Sequence, residues 1–406
     1  MKDAPARVLV VATHPIHYFA PLYAEYAKDP RLDLRVAYCS LLGAEGGIDP
    51  EFGVEVAWDV PLLEGYDWVQ PANRSPRPGY EHFLGLVNPG LWSIAARGRF
   101  DVVVVHGYWV ASYWIAGAGA RAGGARLAMV VDAHSLAGAR ARGWKVAAKR
   151  AALPVLFRSV DGFLATSSRT VEFLGSLGVP ARKRFLTPYV VDSPWFEQRA
   201  AAADRGAVRA RLGVPPDAPA AVFCGKLVSW KRPGDAVAAV AGVPGLHLIV
   251  AGDGELRPAL ERAAASSGVA ERVHFLGFVN RGSLPELYAA ADYLVLPSAA
   301  EAFGLVVNEA FACGLPAVVS DAVGAVGDLV RDGETGFVVP AGDVAAFTDA
   351  VGRLARDAGL RRRLGEGASQ AVRAWGPRRN VEAFVQACIA LRDRGVAPRA
   401  PSGEMG

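Results

Sequence analysis

YLVLPSAAEAFGLVVNEAFACGLPAVVS, residues 293–320, is the stretch that decides the fold. Its two apolar runs, Tyr293–Leu296 and Ala317–Ser320, have the length of buried strands, and a helical stretch separates them. Runs that are apolar at every position, rather than at alternate positions, are typical of parallel strands covered by helices on both faces. The stretch therefore predicts one strand–helix–strand unit of an α/β fold.

The same alternation continues along most of the chain. Only the segment 188–219, which holds five prolines, interrupts it. We therefore predict two Rossmann-like parallel-sheet domains that face each other across a cleft, at residues 1–195 and 196–377. The other predicted strands lie at 8–12, 34–38, 102–105, 127–131, 162–166, 221–224, 246–251, 273–276 and 337–339.

The C-terminal part of the chain adds one helix and a tail. Residues 378–394 carry an apolar stripe at helical spacing, and the simplest expectation is that this helix covers the domain it follows. Residues 395–406 have the composition of a disordered tail.

Composition excludes several classes of protein. Of the 406 residues, 52% are apolar and 21% are charged, so a sizeable core can form and a disordered chain is excluded. The net charge of +4 is too small to indicate a nucleic-acid partner. The four cysteines are far apart in the chain, which predicts neither disulfides nor a cysteine metal site. Because no apolar run approaches ~20 residues, we expect a cytoplasmic protein.

Two glutamates in the opening stretch are candidates for ligand binding. Glu301 precedes the predicted helix, and Glu309 lies eight positions later on its second turn. Gly304 permits close backbone approach, and the amides of 303–306 would form an anion site at the helix N-terminus. Glu309 could accept hydrogen bonds from vicinal hydroxyls. By spacing alone, a surface glutamate and a glutamate that favours the helix dipole are an equally good interpretation.

The segment PSAAEAFGLVVNEAFACGLP (297–316) resembles the E-x7-E signature of the retaining glycosyltransferases of family 4, which have the two-domain GT-B fold. The resemblance covers about 220–370 and includes FCGKLVSWKRP (223–233) and VHFLGFV (273–279). It implies that the C-terminal domain binds a nucleotide diphosphate sugar and the N-terminal domain binds the acceptor. The resemblance further implies that Glu309 holds the ribose and that Glu301 contacts the transferred sugar.

Lys226 and Lys231, in the loop that begins at Gly225, are candidates for binding the diphosphate. Only 7 of the 44 basic residues are lysine, and none follows Lys231, so the pair is unusual. Ammonium groups suit phosphate oxygens, and the resemblance implies that they neutralise the leaving nucleotide. A solvated loop is the alternative. The chain contains no Asp-x-Asp sequence, so we predict a metal-independent enzyme.

The resemblance implies further contacts with the donor. The backbone at Phe303, Gly304 and Leu305 would bind the diphosphate, and Phe278 and Val279, which follow a predicted strand, would contact the nucleobase. These contacts are largely made by backbone groups. The sequence therefore does not settle the base, and we favour a UDP-sugar over GDP-mannose.

Three histidines are the candidates in the N-terminal half. The resemblance places His134, which follows the strand at 127–131, beside the transferred sugar. His14 and His17 follow the first strand, at the edge where a cleft would lie, and are weaker candidates for the acceptor side. For His14 or His17 taken alone, a structural histidine is the favoured interpretation.

The helical stretch 140–158 combines basic residues with Trp144 and several apolar side chains. Such a helix can lie on anionic lipid at the inner face of a membrane or recognise an acidic acceptor. A solvated helix face is the alternative interpretation.

Together these features predict a retaining, metal-independent glycosyltransferase. It would transfer a sugar from a nucleotide diphosphate sugar to a hydroxyl of a glycan, a lipid-linked acceptor or a small molecule. Two rivals remain: a nucleotide-sugar epimerase or hydrolase of the same fold, and a non-catalytic protein that binds nucleotide sugars.

Overall fold

Parallel β-sheets covered by helices form the protein, which the computed structural model describes over residues 4–44, 59–136 and 143–394. Within these residues, thirteen strands form two sheets, which confirms the predicted α/β class. The strands are β1 (Ala6–Ala12), β2 (Leu32–Tyr38), β3 (Asp67–Val69), β4 (Val102–Val105), β5 (Arg126–Val131), β6 (Gly162–Ala165), β7 (Arg184–Leu186), β8 (Ala220–Cys224), β9 (His247–Ala251), β10 (Val273–Gly277), β11 (Tyr293–Leu296), β12 (Ala317–Ser320) and β13 (Gly336–Val339).

Fourteen α-helices in the described part of the chain connect and cover these strands. They are α1 (Ala20–Ala27), α2 (Gly90–Arg97), α3 (Ala111–Ala122), α4 (Gly143–Arg158), α5 (Ser168–Ser176), α6 (Ser193–Ala202), α7 (Arg205–Leu212), α8 (Pro233–Gly242), α9 (Arg257–Ser266), α10 (Leu284–Ala290), α11 (Leu305–Ala312), α12 (Val344–Arg356), α13 (Ala358–Ala374) and α14 (Pro377–Asp393).

Both sheets have the same topology. The first runs β3-β2-β1-β4-β5-β6-β7 and the second β10-β9-β8-β11-β12-β13, with parallel pairing throughout. In each sheet the chain adds strands on one side of the first strand and then on the other. This switch lies between β1 and β4 in the first sheet and between β8 and β11 in the second. Ligands of open α/β sheets bind at such switch points, outside the carboxyl ends of the strands.

Each of the eleven predicted strands is present, whereas β3 and β7 were not predicted. Both have only three residues, lie at the edges of the first sheet and are partly exposed. An edge strand of this length needs no continuous apolar run, so the pattern that reveals the central strands is missing from it.

Some predictions fall outside the described residues. These are the predicted tail at 395–406 and residues 140–142 of the basic stretch. Among the helices that the structure does describe, none is both long enough and apolar enough to cross a bilayer.

The expectation that the last helix covers its own domain is wrong. Helix α14 packs against α1 and against strands of the first sheet. The Phe384 ring stacks on Tyr26 at a centroid distance of 4.0 Å, and the Tyr26 hydroxyl donates to Asn380 Oδ1 at 2.5 Å. Apolar periodicity identifies the buried face of a helix but not the surface that buries it, so the sequence could not assign this contact.

The segment that links the two sheets is held by hydrogen bonds to its carbonyl groups. The Tyr189 carbonyl accepts from Trp375 Nε1 at 3.0 Å and from Asn308 Nδ2 at 3.2 Å, and the Pro188 carbonyl accepts from Asn380 Nδ2 at 2.7 Å. All of these polar groups are buried, so losing a partner would leave an unsatisfied group. The backbone at residues 188 and 189 of this linking segment is therefore fixed in position between the two domains.

Replacing Phe384 tests the docking of α14 on the first domain. We expect Phe384→Ala to lower the free energy of unfolding by about 3–5 kcal/mol, because it removes a buried ring and leaves a cavity against Tyr26. The control is Gln386→Ala on the exposed side of the same helix. Equilibrium urea unfolding measures both, and equal effects of the two substitutions would contradict the docking.

Candidate active site in the cleft between the sheets

An ion pair occupies the switch point of the second sheet. Lys231 ends the 3₁₀ turn that follows β8, and Glu301 lies in the loop that follows β11, the strand paired with β8. The Lys231 Nζ lies 2.6 Å from Glu301 Oε2, and the two side chains are 18% and 15% exposed. Loops that follow adjacent parallel strands emerge at the same edge of the sheet, which explains how residues 70 positions apart meet.

Glycines allow the loops at this edge to pack backbone against backbone. Gly225 has φ +146°, and a Cβ there would lie 3.4 Å from Lys231 Cδ. Gly252, with φ +152°, follows β9, and a Cβ there would come within 1.9 Å of the Gly225 carbonyl oxygen. Any larger residue at 252 would therefore displace the loop that positions Lys231.

Helix α11 begins beside this ion pair. Gly304 precedes the helix with φ +91°, and a Cβ built there would lie 3.3 Å from Glu301 Cγ. The first amides of an α-helix have no carbonyl partner within the helix, so those at Leu305 and the following residue are suited to an anion. The side chain of Phe303, which precedes Gly304, is buried and anchors this turn.

Glu309 is buried on α11, and its carboxylate accepts a hydrogen bond from the Tyr288 hydroxyl at 2.6 Å. Burial raises the pKa of Glu309 to about 7, while the Tyr288 hydrogen bond and the nearby Arg281 charge act in the opposite direction. The carboxylate therefore changes charge close to neutral pH. The Glu309 side chain is buried at 7% exposure and faces the interior of the cleft region.

A cavity of about 510 Å³ opens in front of Glu309 at the junction of the two domains. His17 and Tyr18 line it from the first domain, and Glu309 and Arg281 line it from the second. Burial, followed by the Arg281 charge, lowers the pKa of His17 to about 3, so this imidazole is neutral near pH 7. The other lining residues come from α1, the link and the start of α14: Pro21, Leu22, Glu25, Val190, Val191, Asp192, Pro194, Pro377, Arg378, Val381 and Glu382.

Arg281 is a candidate that sequence reasoning missed. Its guanidinium lies 4.1 Å from the centroid of the Trp195 ring and 5.4 Å from that of Phe196, so α6 fixes its position by cation–π contact. Burial lowers its pKa, and the carboxylates of Asp192 and Glu309 oppose that change. The residue lies shortly after β10, so a search of every strand's carboxyl end for basic residues would have found it.

His134 and Arg169 are two side chains of the first domain that contact the second domain across the cleft. His134 Nδ1 lies 3.3 Å from the Ala302 carbonyl oxygen, next to Glu301. Burial and the Arg169 charge lower the pKa of His134, which favours the neutral imidazole. Arg169, also missed from the sequence, donates to the carbonyls of Asp321 and Val323 at 2.8 and 2.9 Å. It begins α5 at the carboxyl end of β6, which is the signal that could have revealed it.

The remaining predicted residues lie at other positions around the cleft. Lys226 is half-buried in the loop after β8, five residues before Lys231. Phe278 and Val279 directly follow β10 and are partly exposed. His14 stacks on Tyr80 at 5.1 Å, whereas His17 lines the cavity described above, so the structure separates the two histidines of the first loop.

Metal-binding geometry is absent from the residues that the structure describes. Among them, no three His, Cys, Asp or Glu side chains converge as a possible metal site. Basic side chains at the site include Lys231, Arg281 and Arg378.

Family models match both domains. The model described as glycosyl transferases group 1 matches residues 204–371, and the glycosyl transferase 4-like domain matches residues 7–189. A D-inositol 3-phosphate glycosyltransferase of Actinosynnema mirum is 34% identical over 318 residues, covering 73% of this chain and 74% of the relative. One from Xylanimonas cellulosilytica is 37% identical over 224 residues, 53% of this chain and 54% of the relative. The match thus spans about half the length of that relative, and 40% of one from Streptomyces bingchenggensis.

Solved structures share the fold at low sequence identity. Anabaena HepE, in complex with UDP and glucose, has a TM-score of 0.72 and 18% identity, covering 94% of this chain and 98% of that chain. The sucrose-phosphate synthase of Thermosynechococcus elongatus has a TM-score of 0.67 and 19% identity over the same shares of both chains. At these identities the likeness shows the fold, which is the predicted GT-B arrangement.

The buried Glu309 predicts a pH-dependent contribution to stability. Its pKa is about 7 in the folded protein and near 4.5 when unfolded, so the folded state binds more protons between these values. The contribution of Glu309 is therefore most favourable below pH 4.5 and falls by about 3 kcal/mol as the pH rises through 7. We expect Glu309→Gln, which carries no charge, to gain stability relative to wild type between pH 5 and pH 8.

Urea unfolding of both proteins at several pH values measures this difference. Comparing the two cancels the opposite contribution of His17, whose lowered pKa favours the folded state as pH rises. Burial raises the pKa of Cys224 to about 12 and raises that of Cys313, so both neighbouring thiols stay neutral in this range. A difference in stability that is constant with pH would contradict the assignment.

Proposed function

The chain belongs to the group 1 glycosyltransferases, and on that premise we propose that it is a retaining, metal-independent enzyme that transfers a sugar from a nucleotide diphosphate sugar to a hydroxyl acceptor. The observation that carries the proposal is the Lys231–Glu301 pair at the switch point of the second sheet. A cation, a carboxylate and a helix N-terminus converge there, where the leaving diphosphate and the sugar would meet. We further propose that residues 1–195 bind the acceptor and residues 196–377 bind the donor.

Lys231 is the proposed centre of the diphosphate site. Its ammonium group has three donors, and Glu301 occupies one of them, so donors remain for phosphate oxygens. Lys226 in the same loop and the amides at Phe303, Gly304 and Leu305 complete this proposed site. Fixed positive groups in a site that excludes water stabilise charge on the leaving diphosphate without reorganising during the reaction.

Glu309 is the proposed partner of the ribose hydroxyls. An ionised carboxylate accepts two hydrogen bonds, and the Arg281 charge favours the ionised form. The cavity volume of about 510 Å³ suits a nucleoside, and Phe278 and Val279, three and two residues before Arg281, are the proposed contacts of the base.

The sugar would lie between Glu301 and His134. Glu301 is held by Lys231, so it is poorly placed to act as a covalent nucleophile and is assigned to sugar binding. We propose a front-face reaction. The bond from the anomeric carbon to the donor phosphate breaks as the acceptor oxygen bonds on the same face, and the departing phosphate oxygen takes the acceptor proton. The neutral His134 would donate to or accept from a sugar hydroxyl.

The acceptor would approach from the first domain, where His14 and His17 are the proposed contacts, with His17 on the first-domain side of the cavity that Glu309 lines from the second. A glycan, a lipid-linked acceptor or a small molecule fits this side equally well. The relatives that are named for D-inositol 3-phosphate make a phosphorylated polyol a useful member of an acceptor panel. All four cysteines carry free thiols, which agrees with the proposed cytoplasmic location.

Acceptor-free incubation separates the rivals from the proposal. A transferase consumes UDP-sugar slowly until an acceptor is added, because closure of the cleft excludes water. Rapid release of UDP, or epimerised sugar, would identify the hydrolase or epimerase. Tight binding of the nucleotide without turnover on any acceptor would identify a non-catalytic binder.

Substituting Lys231 tests the proposed diphosphate site. We expect Lys231→Ala to lower kcat/KM by about 10²-fold or more, because it removes a cation that interacts with the leaving group. Lys231→Arg keeps the charge and should retain part of the rate. Arg211→Ala, which removes an exposed cation of the same domain, is the control and should have wild-type kinetics. A near-wild-type rate for Lys231→Ala would remove this residue from the mechanism.

Nucleotide binding tests the donor and the independence from metal. We expect UDP to raise the melting temperature more than GDP or dTDP, since a ligand at 100 times its Kd adds about 2.7 kcal/mol to the stability. Support for UDP comes from the structural neighbour that binds it. The shift and the transfer rate should be unchanged in EDTA. A response to GDP alone would assign a guanosine donor, and strict dependence on Mg²⁺ or Mn²⁺ would contradict the proposed mechanism.

A further inference from the structure

The first domain exposes an unusual number of large apolar side chains. Every large hydrophobic residue that is exposed in the described part of the chain belongs to residues 68–155, and the second domain contributes none. Trp144 and Val155 on α4 are 66% and 63% exposed, and the Phe83 and Trp114 rings are in contact at 6.5 Å. The full set is Trp68, Phe83, Leu84, Trp92, Trp109, Trp114, Trp144 and Val155.

Helices α2, α3 and α4 cover one face of the first sheet together with α5, which contains one basic and one acidic residue. In sequence, α2, α3 and α4 together contain six Lys or Arg residues and no Asp or Glu. Helices α1 and α14, which cover the opposite face of the same sheet, contain three basic and three acidic residues. The face formed by α2 to α5 therefore has a net positive charge, and the exposed Trp92, Trp114 and Trp144 lie on three of its helices.

Helix α4 lies mostly outside the core. Leu153 and Phe157 are its buried side chains among those described, while Lys149, Arg150 and Arg158 are exposed. Between α3 and α4 an apolar cavity of about 260 Å³ opens on the same face, lined by residues that include Trp114 and Leu156. A helix that buries so little of its surface in its own domain has a face available to a partner.

We propose that α2, α3, α4 and the turn at Phe83–Gly85 form a surface that docks on an anionic lipid bilayer. Tryptophan is favoured at the boundary between headgroups and acyl chains, and lysine and arginine pair with anionic headgroups. A nucleic acid would use the cations but not a row of exposed tryptophan and leucine side chains. Charge and apolar exposure together therefore favour the bilayer over a soluble polyanion.

Docking in this orientation narrows the acceptor class, an inference that rests on the proposed function. The loop that carries His134 lies between β5 and α4, so the cleft and the docking surface belong to consecutive parts of the chain. An enzyme seated on this face would hold the first-domain side of its cleft near the headgroups. A lipid-linked acceptor is the class that this arrangement would serve.

Vesicle co-sedimentation of the full chain tests the docking surface without measuring activity. We expect binding to phosphatidylcholine vesicles that contain phosphatidylglycerol, weakening with added salt, and at least about tenfold weaker binding to phosphatidylcholine alone. The double variant Lys149→Glu/Arg150→Glu should lose at least about tenfold in affinity, and Trp144→Ala should also weaken binding. The matched control Arg262→Glu/Arg331→Glu reverses two exposed cations of the second domain and should bind as wild type.

Each other result overturns the proposal. The proposal is overturned if the protein does not bind the anionic vesicles or binds neutral vesicles equally well. It is also overturned if the control variant loses as much vesicle affinity as the double variant, or if the protein binds RNA in place of vesicles. Since the substituted side chains are exposed, unchanged melting temperatures and unchanged UDP shifts confirm that the variants are folded. A variant that loses vesicle binding but keeps UDP binding separates this surface from the donor site.

Discussion

The Lys231–Glu301 ion pair is the constraint on which the rest of the site depends. It forms because β8 and β11 are neighbours in the second sheet, which brings two loops from distant parts of the chain to one edge. Gly225 and Gly252 then allow the surrounding loops to approach closely enough to fix the lysine. Neither charge is isolated in the partly buried cleft, because each side chain partners the other.

Glu309 shows a different balance of forces. Burial raises the pKa of its carboxylate, while the Tyr288 hydrogen bond and then the Arg281 charge oppose that change. Arg281 is in turn fixed by the aromatic rings of Trp195 and Phe196 on α6, where the chain enters the second domain. The charge state of a residue on α11 is therefore set partly by packing in the link between the domains.

That link also couples the two domains mechanically. Helix α14 returns to the first domain, and Asn308, Trp375 and Asn380 bind carbonyls of the linking segment. Side chains from the second domain and from the last helix thus hold the segment about which any opening of the cleft would occur. His134 and Arg169 of the first domain contact backbone carbonyl groups of the second domain. The linking segment and these two side chains therefore connect the domains at different places around the cleft.

The sequence by itself determined the class of fold, eleven of the thirteen described strands and the residues Lys231, Glu301 and Glu309 as candidates. Continuous apolar runs and a glutamate pair around one helix are local patterns, and local patterns can be read along the chain. Only the tertiary structure brought Arg281 and Glu309 to one cavity, gave His14 and His17 different surroundings and docked α14 on the first domain. These depend on contacts between distant segments, and periodicity shows that a face is buried but not which surface buries it.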